Sequence, residues 1–490
     1  MAIVRGDEER QFFGELLDQL KRSPWRFIGA LISAPLLWVS ANTHDWWAVG
    51  WFALAPLCFA ATGGGWLASG LVGLVGFAAG AAAQCYWLTP LPIGSFVLLG
   101  LLAGLVCGAM EAPLMMRLPL LVRPLVFGLL IAGVYALVAV PAAMPGEALV
   151  NSAMARGLFR IIDLPVLAGL LALIARLASE LYNGKGEGER RLGGWVGMLV
   201  AGLIVLWAAI DGLGVKLSAV EKPEGGRQLI IVTSPADPEK TTREVLGALG
   251  RGSVALWPAV ETDSRAKADE ILAGAENLAR EKQLMVALTV SDGKNWRAAI
   301  YDRAEKPVIK EWGIDAPPER VENAQTSAGK LLMGTRWDQL GTSDEEIVFA
   351  SHAKAPGGDS AEVFQLRQTR RRTLLEGVPQ VHAWPGGGAV IDPQARLVER
   401  ASSGTGGTTV KGALINTRMP RPEQGVSKLY KPQLRWMQDL LAILAPLALV
   451  GVLIAESVMA ALRLKSRNAP ELELDPEPPP EPRMPAQRKK

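Results

Sequence analysis

The side chains able to do chemistry are few and oddly placed. Three cysteines, Cys58, Cys85 and Cys107, all fall in apolar stretches. A thiolate can take up an acyl group or ligate a metal, yet their spacing draws neither a zinc site nor a disulfide framework. They read as small packing residues, and only Cys85, in Gln84-Cys85-Tyr86-Trp87, sits near the end of its stretch. Ser351-His352 is the one visible serine–histidine pair. Adjacent strand residues point to opposite faces, so this pair makes a poor dyad. Glu111 and Asp163 lie in or beside apolar stretches, where an ionisable group is a candidate functional residue. The run Arg367, Arg370, Arg371 and Arg372 reads as a solvated helix face, or as a contact for lipid phosphates if it meets a membrane. No cofactor and no metal follows from any of these residues.

The elements around them divide the chain sharply. Of its 490 residues, 49% are hydrophobic and 20% charged, with 51 basic against 48 acidic side chains. Soluble domains carry about 25% charge, and mean hydropathy here is +0.21. Near-neutrality without a basic stripe excludes nucleic acid as the main partner. A bilayer core needs about 20 apolar residues per helix. Seven such windows, at 27–42, 46–62, 66–87, 93–110, 125–140, 164–181 and 195–215, precede an ordinary soluble stretch, and an eighth lies at 436–462. The expectation is a multi-span α-helical membrane domain of eight transmembrane helices carrying an external α/β domain. The divisions are an amphipathic segment (1–24), seven helices (25–216), the α/β domain (217–434), the eighth helix (435–463) and a Pro/Glu-rich disordered tail (464–490).

Phe12, Phe13, Leu16, Leu17 and Leu20 share one helical face, which suits an interfacial helix or one packed on the protein's own loops. The first apolar stretch lacks a small-residue cleavage site and reads as a retained span. Lys and Arg gather on one side, at Lys21, Arg22 and Arg26, then Arg117 and Arg123, then Lys185, Arg190 and Arg191, then Arg463, Lys465 and Arg467. The other side has only Arg156 and Arg160. Both termini are then cytoplasmic and the large domain lies outside, in the periplasm of a bacterium.

In that domain, 228–233, 253–257, 284–290, 298–301 and 347–350 are apolar and branched enough for buried strands, and 380–383, 388–391 and 410–414 follow between Gly/Pro turns. Residues 264–282 and 361–375 read as helices. Such alternation predicts an α/β sheet domain with a sizeable core.

The arrangement resembles bacterial apolipoprotein N-acyltransferase, which carries a nitrilase-like domain (carbon-nitrogen hydrolase superfamily) on an eight-helix base. WFALAPL at 51–57 is similar to that family's early span, and IIDLPVLAGLLALI at 161–174 to its span before the last helix that precedes the domain. LWP at 256–258 is similar to the strand end bearing the nitrilase glutamate, and LLEGVPQVHAWPGGGAVIDP at 374–393 to a late family segment. The resemblance implies an α/β nitrilase-like sandwich and a site of three groups. These are a cysteine that takes the acyl chain as a thioester, a glutamate base and a lysine that stabilises the oxyanion.

At the matching positions those groups are missing. The glutamate position is Ala259, and the nearest carboxylate, Glu261, stands two residues later. The lysine position falls near Trp312–Gly313, with Lys306 and Lys310 close by but on a strand or its turn. The cysteine position falls in LLMGTR at 331–336, and no cysteine occurs in 217–434. Weak candidates are therefore Glu261, Lys310 and Ser351, and none is assigned as catalytic.

One reading is a divergent, inactive relative that binds membrane phospholipid, and lipoproteins or other membrane-complex subunits, as a scaffold. The alternative is a working N-acyltransferase with relocated residues, moving an acyl chain from phospholipid to a lipoprotein's N-terminal cysteine. A transporter fits less well, since no interrupted spans or repeats stand out.

Overall fold

The computed structural model describes residues 24–41, 46–88, 91–120, 122–152, 155–159, 162–183, 228–234, 236–246, 253–302, 306–314, 321–326, 329–334, 347–352, 358–402, 409–410 and 413–418, with isolated positions between 192 and 210 and at 440, 451 and 458. The first 23 residues, most of the seventh and eighth windows and the Pro/Glu-rich tail lie outside the described residues.

Apolar sequence first builds a helical bundle. Its helices are α1 (Pro24–Ala41), α2 (Ala55–Ala61), α3 (Trp66–Gln84), α4 (Ile93–Met110), α5 (Val122–Val138) and α6 (Leu164–Tyr182). Three of the described helices, α3, α4 and α6, are long and apolar enough to cross a membrane, against the eight expected from sequence. The second window is broken. A 3-10 turn, Trp47–Trp51, precedes a seven-residue helix that starts with Pro56 in its first turn, where proline's missing N–H costs no hydrogen bond. In α1, Pro24, Arg26 and Pro35 dilute the apolar run, and α5 has 17 residues.

Small residues let these helices touch backbone to backbone. A Cβ added to Gly104 of α4 would stand 2.7 Å from the Gly70 carbonyl of α3. One added to Gly128 of α5 would stand 2.7 Å from the Gly169 carbonyl of α6.

Glu111 belongs to a closed ionic cluster rather than standing alone. Arg176 of α6 pairs through Nη2 with Glu111 Oε1 (2.6 Å) and through Nε with Glu180 Oε1 (2.8 Å). Glu111 also accepts from the Gly63 backbone N–H, and Arg26 donates to the carbonyls of Ala60, Thr62 and Gly63, the end of α2. The cluster therefore fastens α1, α2, α4 and α6 to one another, and its side chains Arg176, Glu111 and Glu180 are all at least 96% buried.

Alternating and continuous apolar runs build two stacked sheets. The first runs β13 (Thr409–Val410), β14 (Ala413–Arg418), β1 (Gln228–Val232), β2 (Val254–Leu256), β4 (Met285–Ser291), β5 (Asn295–Tyr301) and β6 (Val308–Gly313), with β3 (Val260–Glu261) on β4. The second runs β12 (Leu397–Ser402), β11 (Gly387–Ile391), β10 (Gln380–Trp384), β9 (Ile347–Ser351), β8 (Gly329–Gly334) and β7 (Val321–Thr326). Strands β1, β2 and β4 are mutually parallel, as are β8, β9 and β10.

Period-two alternation sends Leu229, Ile231, Leu256, Met285 and Ala287 of one sheet against Met333, Phe349, Val381 and Val390 of the other. Helix α8 (Arg265–Lys282) covers the first sheet's outer face through Ala268, Leu272, Ala275 and Leu278, after α7 (Pro238–Leu246). Ser264 caps α8, accepting from the Lys267 N–H. Helix α9 (Gly358–Glu376) lies between the second sheet and the bundle. Its Leu366 packs with Trp384 of β10, while Leu374 and Phe364 pack into the bundle's apolar cluster.

Candidate functional site

In sheets of parallel strands, ligands bind outside the carboxyl ends. Here those ends meet at His352. The Ala259 N–H, just past β2, donates to the His352 carbonyl (3.0 Å), which joins the two sheets. Gly334, ending β8, is the register partner of Ala350, two residues before His352. The His352 N–H in turn donates to the Ala383 carbonyl of β10 (2.8 Å), and the Gly386 N–H donates to the Thr233 carbonyl beyond β1 (2.7 Å). Folding thus gathers Ala259 and Gly334 at the end of one strand. They carry a methyl group and a hydrogen. Trp312, near which the resemblance implies a lysine, is packed between the sheets.

The weak candidates are not gathered there. Glu261 is exposed on β3, and Lys310 is exposed on β6 opposite Ala298. Ser351 is fully buried and faces the other sheet, where its Oγ accepts from the Thr289 backbone N–H (3.1 Å). His352 points the other way, to His382, so Ser351 and His352 do not form a dyad. Replacing Ser351 with alanine is expected to strand the buried Thr289 N–H and cost about 1–3 kcal/mol in urea melts.

Beneath the second sheet's outer face runs a short polar chain. His352 Nε2 and His382 Nδ1 are 2.9 Å apart, and His382 Nε2 lies 3.1 Å from Gln380 Oε1. With Gln380 accepting through Oε1, His382 carries its proton on Nε2, so its Nδ1 accepts from His352 Nε2. All three side chains are buried, and the rings stack with centroids 5.1 Å apart. Burial pushes His382 well below the ordinary histidine range, and the adjacent His352 ring adds to this.

The unfolded chain therefore binds a proton at about pH 6.5, where folded His382 does not. Stability is full above that pH and falls as pH drops through it toward the lower folded value, by up to about 1.4 kcal/mol per unit. Urea melts between pH 7.5 and 5 should show this slope, and His382→Gln should flatten it. Among the described residues, no three His, Cys, Asp or Glu side chains are grouped to hold a metal.

A second polar region lies where α9 meets the bundle, and it corrects the reading of the arginine run. Arg367 is neither solvated nor turned to lipid. It donates to the Ala41 carbonyl at the end of α1 (2.9 Å) and pairs with Glu147 Oε2 (3.3 Å), the two side chains being only 2% and 4% exposed. Arg370 donates to Asn151 Oδ1 (2.6 Å) and to the Ala395 carbonyl (2.8 Å). Arg371 pairs with Asp163 Oδ1 (2.6 Å), which also caps α6 by accepting from the Leu164 N–H. Phe364 packs on Trp87, ring centroids 5.4 Å apart. Burial pushes the Glu147 carboxyl up, while Arg367 and Arg371 pull it down. Asp163 thus serves as a cap and docking partner. Sequence reasoning passed over Glu147, although it is the only carboxylate between Glu111 and Asp163.

No family model matches this sequence, and no curated protein matches it. Among solved structures, part of the chain is similar to a carbon-nitrogen hydrolase from Helicobacter pylori G27, at 12% identity and a TM-score of 0.29, over 36% of this chain and 85% of that one. It is similar also to a CN-hydrolase superfamily protein from Xanthomonas campestris, at 12% identity and a TM-score of 0.30, over 39% and 90%.

Proposed function

We propose that the chain is a divergent, catalytically inactive relative of the apolipoprotein N-acyltransferases, anchored in the bacterial inner membrane. It keeps the double-sheet domain outside the cytoplasm as a lipid- or lipoprotein-binding scaffold. The observation that carries this is the convergence of Ala259 and Gly334 on His352. Acyl transfer through a thioester needs a thiol and a base within hydrogen-bond reach. A methyl group and a hydrogen at those positions supply neither. The exposed apolar side chains of the bundle, among them Ile28, Leu31, Ile93, Leu101, Leu125 and Leu129, suit a lipid surround.

The purified protein in detergent should retain phospholipid, seen by native mass spectrometry, and gain no covalent acyl mass after incubation with phospholipid donors. An adduct removed by hydroxylamine would reveal a working thioester site and overturn the inactive reading. Loss of all lipid on mild delipidation, with the fold intact, would remove the binding role.

A further inference from the structure

One end of the bundle gathers guanidinium groups. There α1, α3 and α5 begin and α2, α4 and α6 finish, joined by the Arg26, Glu111 and Arg176 contacts. Among the described residues its charged side chains are Arg26, Arg117, Arg123 and Arg176 against Glu111 and Glu180, so positive charge is in excess. Arg176 engages both carboxylates. Arg117 is exposed and forms no ion pair among the described residues.

Arg123 is held in place yet keeps a donor to spare. Its Nε donates to the Leu118 carbonyl (3.1 Å), and its Nη1 lies 3.5 Å from Met116 Sδ and 3.5 Å from Glu180 Oε2. These contacts fold the guanidinium back on the turn Met115–Arg117, which carries Arg117, and leave Nη2 without a hydrogen bond among the described residues. Below this corner Val122, Leu125 and Leu129 follow at i, i+3 and i+7 on α5, an exposed apolar row on one face. Trp25, Trp66 and Tyr182 are each more than half exposed at the same end, as aromatic rings at a membrane–water interface are. Topology alone asks only for basic residues somewhere in the loop. A guanidinium fixed through two of its nitrogens above an apolar row is a more specific arrangement.

Resting on the membrane reading above, we propose that the Arg117–Arg123 corner binds the phosphate of an anionic phospholipid, whose acyl chain lies along Val122, Leu125 and Leu129. Guanidinium groups offer paired N–H donors to phosphate oxygens. Fixing Arg123 in advance lowers the cost of ordering it on binding. A zwitterionic lipid brings a cationic amine beside the same phosphate, and the surplus positive charge disfavours it.

The test is native mass spectrometry of the full-length protein equilibrated in detergent with equal amounts of phosphatidylglycerol and phosphatidylethanolamine. The unaltered protein should retain phosphatidylglycerol by at least about tenfold, since each basic side chain near an anionic headgroup contributes about fivefold. Arg117→Gln should lower that ratio about fivefold, and Arg117→Gln with Arg123→Gln should bring it near parity. Lys267→Gln with Arg280→Gln removes the same charge from exposed positions on α8 and should leave the ratio unchanged. Arg117 is exposed, so its variant reports even if Arg123→Gln fails to fold. Equal retention of the two lipids by the unaltered protein would overturn the site while leaving lipid binding in place. So would a preference undiminished in Arg117→Gln. Retention of neither lipid would overturn both the site and the lipid-binding reading. Displacement of bound phosphatidylglycerol by inorganic phosphate alone would assign the arginines to a free anion and overturn the lipid site.

Discussion

Replacing Arg176 with leucine is expected to destabilise the helical bundle by about 3–5 kcal/mol, among the largest effects of any single side chain. The reason is the two carboxylates left behind. Glu111 and Glu180 are 4% and 3% exposed, and both point at the guanidinium. Without it, both carboxylates stay buried and repel each other, with only the more exposed Arg123, 3.5 Å from Glu180 Oε2, left as an ion-pair partner. Arg176→Lys keeps the charge but loses the fork that reaches both partners, so its loss should be intermediate. Arg176→Leu combined with Glu111→Gln and Glu180→Gln should recover most of the stability, because it removes the stranded charges. Thermal unfolding in detergent checks the series. An unchanged midpoint in Arg176→Leu alone would mean that the cluster is already solvated.

Gly169→Leu should cost about 3 kcal/mol by a different route. At this crossing, α5 and α6 touch through backbone. A Cβ on Gly169 would stand 2.6 Å from the Ala132 Cβ and would collide with the Gly128 carbonyl oxygen. Neither is the flexible end of a long side chain, so the helices must separate and lose packing along their length. Gly169→Ala should already lower the unfolding midpoint. The control is Gly94→Ala in the first turn of α4, where nothing lies within 4 Å and the expected change is within about 0.5 kcal/mol. Equal midpoints for the two alanine variants would argue against the close crossing.

The sheet domain was legible in the sequence where burial is continuous. The runs at 228–233, 284–290 and 347–350 became β1, β4 and β9 within a residue or two, and the predicted helix at 264–282 became α8. Strands with a polar pattern were harder to read. Strand β7, VENAQT, carries few apolar side chains, and α7, PEKTTREVL, is short and hydrophilic. Their places come from pairing and packing partners, which a local pattern does not record.

The second apolar window looked like a span because composition alone hides the break at Pro56. The arginine run looked solvated because its acidic partners lie 208 and 220 residues away. For the arginines the missing information was a long-range contact. The sequence signal, where one existed, was a charged residue inside an apolar run, as with Glu147, or the Arg176 and Glu180 pair at i,i+4 spacing.

The proposed inactivity can be tested directly in cells in which this chain is the only acyltransferase-like protein. Mass spectrometry of lipoprotein N-termini would then count acyl chains. Diacylated termini with a free amine are the expected result, since Ala259 and Gly334 provide neither base nor nucleophile. Triacylated termini would contradict the account and assign the transfer to this chain.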